Sequence, residues 1–355
     1  MRALVNEALR PAAVPAPSAE AAAFHAALTG YRPTPLRTLP PMAAQLGLGA
    51  VLVKDESARL GLPAFKVLGA AWAVERALRE QPDVRTLVAA SAGNHGRAVA
   101  HVAARRGLAC RVFLPDRAAP ARRAAIAAEG AEVVVVDGSY EDAVACAREA
   151  GAEAGALEVA DVGESGPARW VIDGYATLFA ELAAAGADAD LLLVPVGVGS
   201  LAAAAARFGA ATGTRVVGVE PVTAACLTAS LAAGEPTAVP TPGTSMAGLD
   251  CAEVSAAAWP SLRDGVAGTV CVRDAEVYGA MRELAAAGLC IGDSGAAPLA
   301  ALCALTIEPA CAALRTAVDL GPGSRVVLIA TEGPTDPDHY RRVFAGSGGA
   351  ATPRP

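Results

Sequence analysis

Two hydrophobic patterns alternate along the chain. Short, nearly unbroken apolar runs at residues 50–53, 86–90, 109–114, 132–136, 156–159, 191–194, 216–219 and 326–330 predict buried strands. Apolar positions at helical spacing predict helices over 65–78, 97–106, 120–129, 140–150, 175–185, 202–208, 223–233 and 275–287. Shorter helical stretches are read at 19–28 and 41–48, while 31–36 is too proline-rich to be helical and 239–250 is loop-like. Strand followed by helix, repeated, predicts an α/β protein with open, twisted, largely parallel sheets covered by helices. Residues 1–35 read as a surface arm, and the Gly/Ala/Pro-rich tail from Gly346 as disordered.

Composition narrows the partners. The 355 residues carry a net charge of −7 without a basic block, which disfavours nucleic acid and anionic membranes and leaves small molecules. The apolar stretches are alanine-rich and broken by Gly, Pro or charge, so no membrane span or signal segment is expected and the protein is placed in the cytoplasm. Eight scattered cysteines without CxxC pairs read as buried thiols, with no metal site; Cys226 and Cys251 could approach each other in space.

Lysine is the most informative residue type. It occurs only at Lys54 and Lys66, while other basic positions are Arg. A guanidinium stays protonated, whereas a buried ammonium can lose its proton and attack a carbonyl, so a retained lysine points to that chemistry. Lys66 falls where a loop opens into a helix.

Ligands of parallel sheets gather beyond the strands' carboxyl ends, and three loops there are chemically loaded. Gly197-Val198-Gly199-Ser200-Leu201 joins a buried strand to a helix and offers backbone amides to a phosphate. The same turn, with Glu220 ending the next strand, also matches a dinucleotide fingerprint, in which the acid would hold a ribose. Ser91-Ala92-Gly93-Asn94-His95-Gly96 has no dinucleotide explanation; its Asn amide can meet a ring hydroxyl or carboxylate, and its Ser and amides an anion. Thr331-Glu332-Gly333 places a hydroxyl at the end of the last strand, suited to a pyridine nitrogen that stays unprotonated. His25, His101 and His339 have no neighbours marking them as ligands.

Taken together, the Ala-Phe-Lys-Val-Leu-Gly junction at 64–69 and these three loops resemble the fold-type II pyridoxal-phosphate enzymes, the tryptophan synthase β group, in order and spacing over roughly residues 30–345. Within it the sequence is most similar to the diaminopropionate ammonia-lyase family. That likeness rests on Lys-Asp-Glu-Ser from Lys54, Gly-Asn-His-Gly-Arg from Gly93 and Asp-Gly-Tyr-Ala-Thr-Leu from Asp173. It extends to Met-Ala-Gly-Leu from Met246, Asp-Ser-Gly-Ala from Asp293 and Thr-Glu-Gly-x-Thr-Asp-Pro from Thr331.

The resemblance implies pyridoxal 5'-phosphate held by Lys66 as a Schiff base, with Asn94 facing the ring 3-hydroxyl. Gly197, Val198, Gly199, Ser200 and Leu201 would cradle the phosphate, with Thr331 near the pyridine nitrogen. Ser91, Ala92, Gly93 and His95 would meet the substrate, and Lys54 would position its loop over the cofactor. Ala92 stands where well-known members carry the Asp expected to serve the D-isomer, and is typical of serine and threonine dehydratases; the implied substrate is an L-amino acid. Asp161 looks like the second family carboxylate, there to protonate a leaving amine or bind a second ammonium.

The implied activity is α,β-elimination from 2,3-diaminopropionate to pyruvate and ammonia by a homodimer. Serine/threonine dehydration, β-replacement, a nicotinamide-binding oxidoreductase and an idle regulatory subunit stay open. The expected division is a large cofactor-binding domain of residues 1–66 and 166–355 with a small domain of 67–165.

Overall fold

A computed structural model of the chain describes residues 2–164 and 166–345; the tail read as disordered lies outside them. The chain opens with β1 (Ala3–Val5), α1 (Glu20–Ala26), β2 (Leu36–Thr38), α2 (Pro40–Leu46), β3 (Ala50–Asp55) and α3 (Lys66–Glu80). Next come β4 (Thr86–Ala90), α4 (Asn94–Arg106), β5 (Ala109–Pro115), α5 (Pro120–Ala127), β6 (Glu132–Val136), α6 (Tyr140–Gly151) and β7 (Ala156–Glu158). Then follow α7 (Pro167–Ala184), β8 (Leu191–Pro195), α8 (Ser200–Thr212), β9 (Arg215–Pro221), α9 (Cys226–Ala233), α10 (Trp259–Gly265) and β10 (Gly268–Val272). The chain closes with α11 (Asp274–Ala286), α12 (Asp293–Ile307), α13 (Ala312–Ala317), β11 (Arg325–Ala330) and α14 (Pro337–Ala345).

The strands form two sheets. One has seven in the order β1-β10-β9-β8-β11-β3-β2, parallel except for its two edge strands. The other has four, β6-β5-β4-β7, all parallel and drawn wholly from residues 86–158. Apolar runs without alternation are required because both faces of the large sheet are covered. Leu192 and Val194 of β8 enter the core shared with α3, α7 and α8, while Leu191 and Leu193 enter the one shared with α11 and α12. Ala202, Ala203, Ala204, Ala205 and Ala206 of α8 are buried, letting that helix lie close on β8 and β9.

Several expectations need correction. The N-terminal segment is not only a surface arm: β1 adds an antiparallel strand to β10, and Asn6 Nδ2 bonds the carbonyls of Arg263 and Val266 at 2.7 Å each. A three-residue strand is too short to show a period. Helix α7 begins at Pro167, eight residues before its expected start, because Pro at the first helical position suits an amide that needs no partner. β10, α10, α12, α13 and α14 had no counterpart in the sequence reading. Among the described residues no single helix is long and apolar enough to cross a membrane.

Candidate active site

The carboxyl ends of both sheets converge on Lys66. Its approach is stitched to the end of β11: Ala64 pairs with Glu332 as an isolated antiparallel bridge, Phe65 N donates to Thr331 O at 3.3 Å, and Gly333 N donates to Pro63 O at 3.0 Å. Lys66 is the first residue of α3, where the helix dipole disfavours a positive charge by about 0.3–1 kcal/mol. Its Nζ lies 2.9 Å from Asp161 Oδ2, just beyond β7, with the side chains 19% and 17% exposed. The rings of Phe65 and Tyr175 flank it, at 5.5 and 5.9 Å from their centroids.

The charges in this pair hold each other. Burial works against the Lys66 ammonium, but Asp161, and then Tyr175, outweigh it and push its pKa above the ordinary lysine value. Burial likewise opposes ionisation of Asp161, yet His95 and Lys66 hold its carboxyl well below the usual range. His95 donates from Nε2 to Val159 O at 2.7 Å, which leaves Nδ1 buried, without a hydrogen bond, 3.9 Å from Asp161 Oδ2.

The turn after β8 has the properties of an anion cradle. Gly199 sits at φ +90° before α8, where an added Cβ would lie 2.5 Å from Leu262 Cδ1. A Cβ on Gly197 would lie 2.7 Å from Gly248 O and 3.0 Å from Cys251 Sγ. Ser200 and Leu201 open α8 deep in the protein, and no side chain caps the first-turn amides. A buried helix start without a cap calls for an anionic partner, which a phosphate supplies. Val198 O accepts from Ser255 N at 2.8 Å, and Ser200 Oγ donates to Asp161 O at 3.1 Å, so cradle and carboxylate are tied together.

At the end of β4, Ser91 Oγ accepts from Gly93 N at 3.2 Å. Asn94 and His95 are already the first turn of α4, not loop as expected, since the glycines at 93 and 96 hide the helix start. Asn94 Nδ2 donates to Glu332 Oε2. Ala92 is half-buried and packs against the main core, while Thr331 is buried at the end of β11. The structure therefore brings Lys66, Asp161, His95 and the cradle together and seats Asn94 against the Thr331–Gly333 turn.

Lys54 acts at a distance from the Lys66–Asp161 pair. It is buried, donating to Thr34 O at 2.9 Å and to Glu181 Oε2 at 2.5 Å, inside a cluster completed by Arg59 and Glu56. Glu220, offered as a ribose ligand, is also closed off: it accepts from Leu227 N, Thr228 N and Thr228 Oγ1 at 2.7–2.9 Å and is fully buried. That satisfies the start of α9 and removes the main support for a dinucleotide reading. Cys226 Sγ contacts Gly197 O at 3.5 Å, and Cys226 and Cys251 remain free thiols. His25 is buried against Thr177 and Leu68 O, while His101 pairs with Glu129 and His339 with Asp293; these contacts stitch helices together.

Sequence reasoning assigned no role to Phe65, Tyr175, Gly248, Ser294 or Glu332. Tyr175 OH is buried close to Lys66 and Ser294 Oγ close to Glu332, each without a hydrogen bond of ordinary length. The motifs containing Gly248, Ser294 and Glu332 were visible, but only the fold reveals that Ser294 lies beside Gly248.

Comparison with known proteins fits this geometry. A family profile described as "Pyridoxal-phosphate dependent enzyme" matches residues 27–332. Diaminopropionate ammonia-lyase of Escherichia coli (strain K12) is 32% identical over 354 residues, covering 90% of this chain and 89% of that protein. The biosynthetic L-threonine dehydratase of Corynebacterium glutamicum is 33% identical, over 58% of this chain and 47% of the dehydratase. The crystal structure of Escherichia coli diaminopropionate ammonia lyase in complex with an aminoacrylate-PLP azomethine reaction intermediate superposes with a TM-score of 0.89 at 31% identity, covering 97% of each chain.

Proposed function

The chain belongs to the pyridoxal-phosphate dependent enzymes and, within them, to the diaminopropionate ammonia-lyase family; from that premise we propose that its own substrate is L-2,3-diaminopropionate. The reaction consumes one water and releases pyruvate and two ammonia. The observation that carries the reading is the Lys66–Asp161 pair, set between an anion cradle and the end of β11.

The residues present fit pyridoxal phosphate. Lys66 would hold it, the amides of 197–201 its phosphate, Asn94 its ring hydroxyl, with Thr331 near its ring nitrogen. When bound, the cofactor supplies a sink for the electrons left when the substrate's Cα loses its proton.

Lys66 Nζ is the base placed to take that proton, but while Asp161 faces it the amine holds its own proton too tightly. A substrate carrying a second ammonium offers Asp161 another partner. Once Asp161 turns to that ammonium, Lys66 gives up its proton more readily, and the second nitrogen, already protonated, departs as ammonia as the electrons from Cα form the Cα–Cβ double bond. Serine and threonine bring no such cation. Ala92 contributes no acid or base, so proton removal falls to Lys66 and the L-isomer is favoured. Ser91, Gly93 and His95 complete the substrate's surroundings in this proposal.

The proposal includes a homodimer working in the cytoplasm, built from a large domain of 1–66 with 166–355 and a small domain of 67–165; light scattering on purified protein checks the pairing. The substrate is tested by comparing kcat/KM for pyruvate release from L- and D-diaminopropionate and L-serine, and for oxobutyrate release from L-threonine. L-diaminopropionate is expected to lead. If L-serine or L-threonine leads, the site is that of a dehydratase.

A further inference from the structure

Glu332 is a buried carboxylate with no part in the scheme above. The residue is 6% exposed, and a buried carboxylate is costly unless something is gained by keeping it. The backbone around it is fixed on every side. Gly292 N donates to Glu332 O at 3.0 Å, Ala64 bridges to it, and a Cβ on Gly295 would lie 2.9 Å from its carbonyl oxygen and 3.1 Å from its nitrogen. The start of α12 and the approach to Lys66 thus lock Glu332 between them.

From this rigid seat Oε2 accepts from Asn94 Nδ2. Asn94 opens α4, which packs on the four-stranded sheet, whereas Glu332 follows β11 of the seven-stranded one. The bond therefore joins the two sheets at the site. An asparagine amide can face either way, but an ionised carboxylate only accepts, so Nδ2 must face Glu332 and Oδ1 must turn away.

We propose that Glu332 is the positioning residue for Asn94: it fixes the amide's orientation and holds the start of α4 against the end of β11, so that Asn94 meets the cofactor ring in one geometry. The inference rests on the assignment of Asn94 to the ring. Burial raises the pKa of Glu332, and Ser294 and Asn94 work in the opposite direction, favouring the ionised form that accepts from Asn94.

The test uses the full chain as wild type, Glu332→Ala, Glu332→Gln, Glu332→Asp, Asn94→Ala and the Asn94→Ala/Glu332→Ala double variant. Pyridoxal phosphate affinity is measured by fluorescence titration of the cofactor-free protein, and the visible spectrum of the loaded protein is followed against pH. Losing a hydrogen bond to a charged group is expected to weaken binding roughly tenfold in Glu332→Ala and in Asn94→Ala, and to alter both spectra alike. The double variant should be no worse than Asn94→Ala. Glu332→Gln, whose amide oxygen can accept the same bond, should recover most of the affinity, and Glu332→Asp, shorter by a methylene, should not. Losses that add in the double variant, or wild-type affinity and spectrum in Glu332→Ala, would overturn the inference. If Glu332→Ala does not fold, equal affinities for the Gln and Asp variants overturn it instead. A wild-type chain that takes up no cofactor would sink the parent reading as well.

Discussion

The two lysines of this chain each face a carboxylate brought from far along the sequence, yet the two pairs do opposite things. Lys54 meets Glu181 with both side chains almost fully buried, 2% and 5% exposed. Arg59 bonds Glu56 and Glu181, Thr34 Oγ1 bonds Glu56, and Tyr31 OH donates to Glu181 at 2.6 Å, so two cations and two anions are balanced and saturated. Nothing there is left to react. Lys66 and Asp161 are several times more exposed, and beside them His95 Nδ1 and Tyr175 OH lack hydrogen-bond partners. The difference teaches that a buried ion pair becomes architecture when its hydrogen bonding is complete and chemistry when it is left incomplete.

Lys66→Ala breaks the reactive pair. It should lower kcat by more than about 10⁴-fold, the upper end for acid–base catalysis alone, because anchor and base are lost together. Steady-state pyruvate release measures it, and urea denaturation of the cofactor-free variant should show near wild-type stability.

Glu181→Ala breaks the architectural cluster and should do the reverse. Leaving Lys54 buried without its carboxylate, and Arg59 with Glu56 alone, should cost about 3–5 kcal/mol of stability by urea denaturation. Any protein that remains folded should still turn over substrate.

Asp161→Asn sharpens the contrast, with kcat expected to fall about 10²-fold at little cost in stability. Its kcat/KM preference for diaminopropionate over serine should shrink as well. A variant that keeps the wild-type preference would mean that Asp161 does not recognise the second ammonium.

The smallest effect lies in acid. Burial works to raise the pKa of Glu181, but Arg59 and Lys54 overcome it and bring the group down to about 2. A depressed carboxylate contributes stability that is present above the unfolded value, about 4.3, and lost as pH falls toward about 2. Wild type should therefore lose stability across that window more steeply than Glu181→Gln, as read from urea midpoints at successive pH values.

Much of this was legible in the sequence. The strands at 86–90 and 132–136 appear at the bounds their apolar runs suggested, and Lys66 opens a helix as its flanking pattern implied. Local patterns report local structure. What escapes the sequence is set by distance: nothing near Lys54 announces the carboxylate its side chain reaches, Glu181, 127 residues away. Glu220 fitted a nucleotide motif until its partners at the start of α9 were seen. Glu332 was read for its neighbouring hydroxyl, since no pattern announces a hydrogen bond across 238 residues to Asn94.

The most direct measurement of the division between the two lysines is borohydride reduction of the loaded protein followed by peptide mass mapping. The account predicts a pyridoxyl group on the peptide containing Lys66 and none on Lys54. A label on Lys54, or an active preparation in which Lys66 stays unlabelled, would contradict it.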